Sequence, residues 1–461
     1  MAFATCSTHT SGNIEKGTIV SATGELVSFV RRLDPGDLSD PVLHQASRCV
    51  LDLVGVAIAG TRTSMTEISA RFAYDQFGPG KATVIGSRRS LSVTGAAWVN
   101  GSAASALDLD DGHRMAMGHP GACVIPAALA IAEMTGASGR EFLAAIVAGY
   151  EVAVRASVAR VPWYKERMYS SGIWGVFGAA AAAGKLLGFD EATLQSAIGN
   201  AASHGSFPPG GLQANYSMVK EVIGWAGMTG CAAALLAQQG FIGPENVMDY
   251  SGRWDTGQLV DGLGNPDRYA ILSAYFKPYA VCRWAHSSVD AVLDLAGRHG
   301  LRPEEIEKIL VETFYEVTRL VNYAPRNAIA AQFSIPFALA VALLYRRIEP
   351  EDVSEENLLK PEVLDLAQRV EVVVDPEING QFPAKTIARV TMHTRQGRFQ
   401  ATVEYPRGNP ENPLSDDDLR AKFRSLTAKI VGEQTCEKLQ AAIFDLARAR
   451  DVTSLTQLLA F

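Results

Sequence analysis

The sequence lacks several features that would assign a function at once. It has six cysteines in 461 residues and no CxxC pair, which is typical of reduced thiols and not of a disulfide framework. It also lacks the basic charge of a nucleic-acid binder, because 42 Lys and Arg residues stand against 49 Asp and Glu residues, a net charge of −7. The N-terminal residues show no signal-peptide pattern. We therefore expect a cytoplasmic protein that does not bind nucleic acid.

Nucleotide-binding and membrane-spanning patterns are also missing. The stretch from Gly178 to Lys185 has five residues between its glycines and Leu186 where a P-loop has Ser or Thr. No GxGxxG motif follows a predicted strand, so a dinucleotide-binding fold has no support. The uncharged stretch 222–244 is mostly Ala and Gly and ends in polar residues, so it predicts a buried helix and no membrane span.

The sequence does contain a long helical pattern, rich in Ala and Gly, up to about residue 270. Apolar residues between Val42 and Ala57 recur at helical spacing. Ser138 to Glu141 and Ser415 to Asp418 each have the form of a capping box, which marks the start of a helix. The closing helices are therefore expected to return to the first domain.

The pattern changes after residue 270, where apolar and polar residues begin to alternate as they do in strands. Strands are predicted near residues 309–313, 369–374, 388–392 and 399–403, and the last two form a hairpin. Together these patterns predict a mainly α fold. Its parts are a large all-helical domain from residues 1–270 and 405–461, and a smaller α+β domain from residues 271–404.

The densest polar cluster runs from Asp108 to Arg114 and is followed by His119. The spacing is similar to that of a calcium loop, but the twelfth position is His119 where an EF-hand has a bidentate Glu, so the calcium interpretation fails. A divalent metal on these Asp and His side chains stays open. So does a solvated loop that only caps the neighbouring helices.

Other candidate residues are scattered along the chain. Lys220 directly precedes the uncharged helix, where the helix dipole disfavours a cation, and it is either functional or a solvated surface lysine. Tyr169 lies in a polar patch ahead of an Ala-rich helix, and His204 fits either a site or a core. A polar set opens the second domain: Lys277, Cys282 and Arg283.

Taken together, these stretches resemble the MmgE/PrpD family, which includes 2-methylcitrate dehydratase, cis-aconitate decarboxylase and iminodisuccinate epimerase. The resembling pieces follow the family's order: Asn100 through Asp108 to Gly121, Gly149 to Val152, Gly178 to Gly188, Lys220 to Pro244, Phe276 to Tyr279 with His286, and Gln332 to Phe337. The resemblance implies that the α+β domain is a lid on the helical domain. It also implies a homodimer, no cofactor, no metal, and a small-polycarboxylate site between the domains.

The resemblance further implies which residues form the site. Four positions match the family's site pattern: Asp108, His119, Lys220 and Lys277. Four polar site positions of other members are changed: Gly112 for Thr, Tyr169 for His, Cys282 for His and Phe337 for Tyr. These changes argue against methylcitrate dehydration and cis-aconitate decarboxylation. The overall pattern is most similar to that of iminodisuccinate epimerases.

We therefore expect a cofactor-independent epimerase that removes the α-proton of iminodisuccinate and returns it to the opposite face. Such chemistry needs cations that hold the carboxylates and a general base within about 2.6–3.2 Å of the proton. Tyr169 or His119 is expected on one face and Lys220 on the other, with Asp108 orienting His119. The expected substrate-binding residues are Lys277, Arg283, Arg114, Cys282 and Phe337.

Other functions stay open. Within the family, the alternative is a dehydratase acting on a substrate like 2-methylcitrate, or a decarboxylase acting on one like cis-aconitate. Outside it, the chain could be an inactive binding protein of the same fold or a metal hydrolase that uses the Asp/His loop. Metal content and turnover separate these possibilities.

Overall fold

The computed structural model describes residues 21–167, 170–206 and 217–461. Helix accounts for 60% of the structure and strand for 9%, which confirms the predicted mainly α fold. The first part of the chain contributes α1 (Ala22–Arg32), α2 (Asp40–Gly60), α3 (Ser64–Gln76), α4 (Val93–Ser105), α5 (Pro120–Thr135), α6 (Gly139–Val158), α7 (Pro162–Arg167), α8 (Ser171–Leu186), α9 (Glu191–His204), α10 (Ile223–Gln238) and α11 (Thr256–Val260).

The second part is a helix-and-sheet layer. Its helices are α12 (His286–Arg298), α13 (Tyr315–Thr318), α14 (Ala328–Gln332), α15 (Ile335–Tyr345), α16 (Pro361–Ala367) and α17 (Pro376–Asn379). Two short strands precede this layer, β1 (Gly112–His113) and β2 (Ala274–Tyr275). The strands of the layer itself are β3 (Ile306–Thr313), β4 (Val370–Val374), β5 (Ala388–Thr394) and β6 (Gly397–Val403), in the sheet order β4-β3-β5-β6. Strands β3 and β4 are parallel, whereas β5 pairs antiparallel with both β3 and β6, so the predicted strands and hairpin are confirmed.

The chain ends with three helices that pack on the first part: α18 (Asp416–Val431), α19 (Glu433–Phe444) and α20 (Thr453–Leu459). Both predicted capping boxes are present, at the start of α6 and of α18. In each, the serine hydroxyl accepts from a helical N–H and the acidic side chain accepts from the serine N–H, which satisfies two otherwise unpaired donors.

Two large apolar cores follow this arrangement. The first draws on residues 22–276 and 414–459. The second draws on residues 280–392 and also takes in Val56, Leu107 and Leu109 from the helical part. The change of core falls near the predicted domain boundaries, whose positions stay predictions. Because Leu107 and Leu109 flank Asp108, the polar loop is held where the two cores meet.

Helix α8 lies at the centre of the helical part and packs against α5, α6, α9 and α10. Its close approach to α6 requires glycine, since a Cβ on Gly178 would lie 2.4 Å from the carbonyl oxygen of Gly149. Lys185 near its end donates to the carbonyls of Val30 and Leu33, at 2.9 and 2.6 Å, and so caps α1. The glycine-rich stretch is therefore structural.

Two helices bear on the prediction that the uncharged stretch is buried and does not span a membrane. The uncharged stretch forms α10, which is largely buried as predicted. A different helix, α2, is long and apolar enough to cross a membrane by length and composition, and 83% of its most apolar window is buried inside the protein.

Candidate active site

A cleft lies where the two cores meet, with an empty volume of about 580 Å³ including its open mouth. The helical part lines it with Arg114, Met117, Gly118, His119 and Glu221. The following part of the chain lines it with Tyr275, Cys282, Arg283, Trp284, Phe333, Phe382, Thr386 and Asn409.

Asp108 lies between two buried lysines at this cleft. Its Oδ1 is 3.0 Å from Lys220 Nζ, and its Oδ2 is 2.9 Å from Lys277 Nζ, with the Lys277 side chain fully buried. Burial alone would raise the pKa of the Asp108 carboxyl, but the two lysines outweigh it and hold that pKa well below its usual range. The structure thus joins three of the predicted residues in one ionic cluster, in which Asp108 is ionised.

The His119 imidazole lines the cleft beside this cluster, and its nearest carboxylate is that of Asp110. Its Nδ1 lies 2.9 Å from Asp110 Oδ2, whereas its Nε2 is 3.9 Å from Asp108 Oδ1. Burial lowers the pKa of His119, but the charge and hydrogen bond of Asp110 outweigh that effect and raise it. The expected orienting role of Asp108 is therefore corrected: Asp110 holds the ring, and His119 is biased toward its protonated form.

A third buried acid, Asp111, lies behind Asp110. It accepts a hydrogen bond of 2.8 Å from the Tyr150 hydroxyl. Burial, followed by the nearby charges of Asp52 and Asp110, raises the pKa of Asp111 well above its usual range, which favours the neutral form of this carboxyl. Gly121 makes room for it, because a Cβ there would lie 2.0 Å from Asp111 Oδ1.

Lys220 is buried, which excludes the solvated surface lysine. It begins a strained turn, since Lys220, Glu221 and Val222 have φ angles of 42°, 56° and 54°. A β-branched residue such as Val222 rarely adopts this conformation, so contacts must hold it. Glu221 accepts hydrogen bonds from the Ser171 N–H, at 3.0 Å, and from its hydroxyl. The Ser171 hydroxyl in turn accepts a hydrogen bond of 3.1 Å from the backbone N–H of His119, so it connects the turn that contains Lys220 to the histidine.

A short two-stranded ribbon ties the polar loop to the entrance of the second part. Strand β1 (Gly112–His113) pairs antiparallel with β2 (Ala274–Tyr275). A Cβ on Gly112 would lie 2.3 Å from the Tyr275 hydroxyl, so glycine is required here by the tyrosine opposite. Gly112 is the position at which the resemblance leads us to expect threonine. Here the Tyr275 hydroxyl occupies the space that a threonine side chain would need, and Tyr275 lines the cleft.

Arg114 and Arg283 both line the cleft but differ in their partners. Arg114 forms a double hydrogen bond with Glu411, at 2.6 and 3.0 Å. Arg283 donates to neutral acceptors, among them the carbonyl oxygens of Pro406 and Arg407 at 3.2 and 3.0 Å. Burial lowers the pKa of Arg283 to about 10, so the guanidinium is still charged near neutral pH.

Of the remaining predicted site residues, some line the cleft and others do not. Cys282 lines the cleft, and burial together with Asp108 raises the pKa of its thiol to about 12, so it is a neutral group there. Phe337 does not line the cleft, because its ring is fully buried in the second core, and Phe333 lines the cleft instead. Tyr169 lies outside the described residues. His204 is exposed at the end of α9.

The structure gives the metal alternative no support. Within residues 21–167, 170–206 and 217–461, no group of three His, Cys, Asp or Glu side chains is arranged to hold a metal ion. The Asp108 carboxylate is instead occupied by lysines, and Asp110 by an imidazole.

Several residues of the site were missed at the sequence level. Asp110 stood inside the polar cluster, but nothing in the spacing showed which acid would face His119. Gln332 accepts a hydrogen bond of 2.9 Å from Lys220 and belonged to a resembling motif without an assigned role. Tyr275, Thr386 and Asn409 carried no local signal, because the chain brings them to the cleft only through its long-range folding.

The fold and the cleft define a two-part, mainly helical protein with a buried lysine, aspartate and histidine cluster where the parts meet. Family profiles match two stretches of the chain: the MmgE/PrpD N-terminal domain at residues 24–261 and the MmgE/PrpD C-terminal domain at residues 279–446. The chain belongs to the MmgE/PrpD family, which confirms the resemblance.

Three curated relatives are named cis-aconitate decarboxylase. The one from Aspergillus terreus is 27% identical over 481 residues, covering 95% of each chain. The human protein is 27% identical over 460 residues, covering 95% of this chain and 94% of its own. The mouse protein is 25% identical over 467 residues, covering 95% and 93%. The family members found in this comparison are enzymes.

Proposed function

We propose that the protein is a lyase that acts on a small polycarboxylate, with decarboxylation of a cis-aconitate-like substrate as its reaction. The observation that carries this proposal is the buried His119–Asp110 pair at the wall of the cleft. The names of the full-length relatives support the same reaction class. They favour the lyase alternative over the epimerase that the sequence predicted.

A protonated histidine suits this decarboxylation. When the carboxylate on the CH2 carbon of cis-aconitate leaves as CO2, its bonding pair forms a new double bond to the central carbon. The electron pair of the original double bond then takes up a proton at the other alkene carbon, so one proton is consumed for each CO2 released. Because Asp110 holds Nδ1 and raises the pKa of His119, the Nε2–H is the donor we assign to that carbon.

The charged neighbours have supporting roles in this proposal. Lys220 and Lys277 are both buried, and neither lines the cleft. Their ammonium groups can therefore stabilise negative charge on the substrate carboxylates through the cluster around Asp108 and not by direct contact. Asp108 holds both lysine side chains in position through its two ion pairs.

The epimerase stays a competing outcome, although none of the relatives compared above is named an epimerase. Epimerisation needs acid–base groups on both faces of one carbon, and Tyr169, the group expected opposite Lys220, lies outside the described residues. We further propose that the enzyme works without a cofactor, as a homodimer in the cytoplasm, as the family resemblance and the free cysteines of the described residues suggest.

Proton NMR in D2O with the purified protein separates the reactions. We expect cis-aconitate to lose CO2 and to gain one deuterium on carbon in a five-carbon dicarboxylate. A new stereoisomer of iminodisuccinate without CO2 release would show an epimerase, and loss of water from 2-methylcitrate would show a dehydratase. If none of the three substrates changes, the proposal is contradicted.

The role of His119 is tested with His119→Gln beside His299→Gln, which changes an exposed histidine of the second part. We expect His119→Gln to lower kcat by about 10²- to 10⁴-fold, because the proton donor is lost. The His299 variant is expected to retain full turnover. Near-normal turnover of His119→Gln would show that another group delivers the proton.

A further inference from the structure

Three residues on one wall of the cleft have buried hydrogen-bond donors without a partner. The donors are Nε of Arg283, Nδ2 of Asn409 and the hydroxyl of Thr386. Each residue lines the cleft and is at least nine-tenths buried. Most buried polar groups are hydrogen-bonded, so several unpaired donors at one cavity need an explanation.

Arg283 is also a buried cation that has no carboxylate within ion-pair distance among the described residues, although the charges of Asp290 and Glu411 act on it from farther away. It donates to the carbonyl oxygens of Pro406 and Arg407, to the amide oxygen of Asn409, and contacts His286 Nδ1 at 3.0 Å. Burial lowers the pKa of His286 well below its usual range, so all of these partners are neutral. In the described part of the chain, no carboxylate forms an ion pair with Arg283, and the internal gaps 168–169 and 207–216 contain no Asp or Glu. Buried charges are normally paired with an opposite charge.

The chain holds these donors in place by backbone geometry. Gly408, with a φ of 94°, allows the tight turn before Asn409, and a Cβ at this position would lie 1.8 Å from the Phe276 carbonyl oxygen. Asn409 is then fixed by its amide oxygen, which accepts from Arg283 and leaves the NH2 group free to donate elsewhere. Thr386 is fixed by its carbonyl, which accepts from the Ser287 hydroxyl.

We propose that Arg283, Asn409 and Thr386 form a subsite for a carboxylate of the substrate other than the one that leaves. A carboxylate is an acceptor-only group with two oxygens, so it can accept from all three donors and neutralise the guanidinium. Side-chain rotamers commonly change at a binding surface. Such a change would let these buried donors reach a carboxylate that enters the cleft. The proposal rests on the proposed function for its substrate class, and it adds Asn409 and Thr386 as specificity-determining residues.

Asn409→Asp gives a distinctive test. The new carboxylate keeps the oxygen that accepts from Arg283, replaces the free donor by an acceptor, and supplies a counter-ion in direct contact. We therefore expect the variant to bind anions more weakly while its thermal midpoint stays the same or rises. A residue with only a structural role would lose stability together with binding.

The probe is tricarballylate, which has the carbon skeleton of cis-aconitate without its double bond and so cannot undergo the same decarboxylation. Its Kd is measured by isothermal titration calorimetry, beside thermal unfolding. We expect Asn409→Asp to weaken binding by about 30-fold or more, and Thr386→Val, which loses one neutral hydrogen bond, by about 3- to 10-fold. The matched controls Asn265→Asp and Thr402→Val lie at exposed positions and are expected to bind like the wild type.

Failure of the subsite and failure of the proposed function are distinguishable. Absence of tricarballylate binding by the wild type, or equal binding by Asn409→Asp and the wild type, would overturn the subsite whatever the turnover. Weakened binding in both Asn409→Asp and Thr386→Val supports the subsite even if cis-aconitate is not turned over, in which case only the proposed reaction fails.

Discussion

The two sides of the cleft differ in how their charged groups are partnered. On the helical side, Asp108 contacts Lys220 and Lys277 within 3.0 Å, and Asp110 contacts His119 at 2.9 Å. On the opposite side, the Arg283 guanidinium has neutral acceptors only. In the first arrangement each of these charged side chains has an oppositely charged partner, whereas in the second no anion lies within ion-pair distance of the guanidinium.

This difference indicates two separate tasks. A cluster of paired opposite charges keeps its geometry before the substrate arrives, which favours a chemical step. A cation with unpaired donors gains most when a carboxylate enters, which favours binding. Variants on each side of the cleft test this difference.

The largest effect is expected from Asp108→Asn. Removing this carboxylate leaves two buried ammonium groups unpaired, so the free energy of unfolding should fall by about 3–5 kcal/mol. Urea unfolding measures this change. The control Asp261→Asn breaks an exposed pair with Arg268 and should leave the free energy of unfolding nearly unchanged. Equal losses in the two variants would mean that the buried cluster contributes no more than a surface pair.

Arg283→Gln should show the opposite balance of stability and binding. Because no carboxylate pairs directly with the buried guanidinium, its removal costs mainly hydrogen bonds, and we expect a loss of about 1–2 kcal/mol. Tricarballylate affinity should fall about 100-fold, as measured by calorimetry. Arg298→Gln, at an exposed arginine, is the control. A larger stability loss than that of Asp108→Asn would contradict the contrast between the two sides.

Asp110→Asn should move the pH dependence of turnover. Asp110 raises the pKa of His119, and the proton donor is lost as pH rises through that pKa. The variant should therefore lose activity at lower pH than the wild type, by about one pH unit or more. The measurement is kcat from pH 5 to 9. The control is Asp111→Asn: the neutral form of this carboxyl is favoured by burial and its hydrogen bond is to Tyr150 and not to His119, so the fall in activity at high pH should stay close to that of the wild type.

The smallest effect is expected from Glu411→Gln, which turns Arg114 from a paired into an unpaired cation. The pair is partly exposed, so the loss in the free energy of unfolding should stay below about 1 kcal/mol. Tricarballylate binding should strengthen by about two-fold, since less negative charge lies beside the cleft. Weaker binding would show that Glu411 positions Arg114 for the substrate.

The helical and strand patterns predicted the fold because each is a local property of the chain. Capping boxes at Ser138 and Ser415 and the alternation in β5 and β6 need only neighbours a few residues away, and the structure has all of them. The site was predicted only in part. His119 and Lys220 carried a signal of their own, whereas Phe337 was expected at the substrate and is packed in the second core.

The fold class, the family and the types of residue that could move a proton could be predicted from the amino-acid sequence, because periodicity, capping and motif order are visible in it. The contact between Asp110 and His119 could not be predicted, since Asp108 and Asp110 lie in one loop and the folded backbone alone shows which side chain faces the ring. The neutral surroundings of Arg283 could not be predicted either, because residues so distant in sequence meet only where the two cores enclose the cleft.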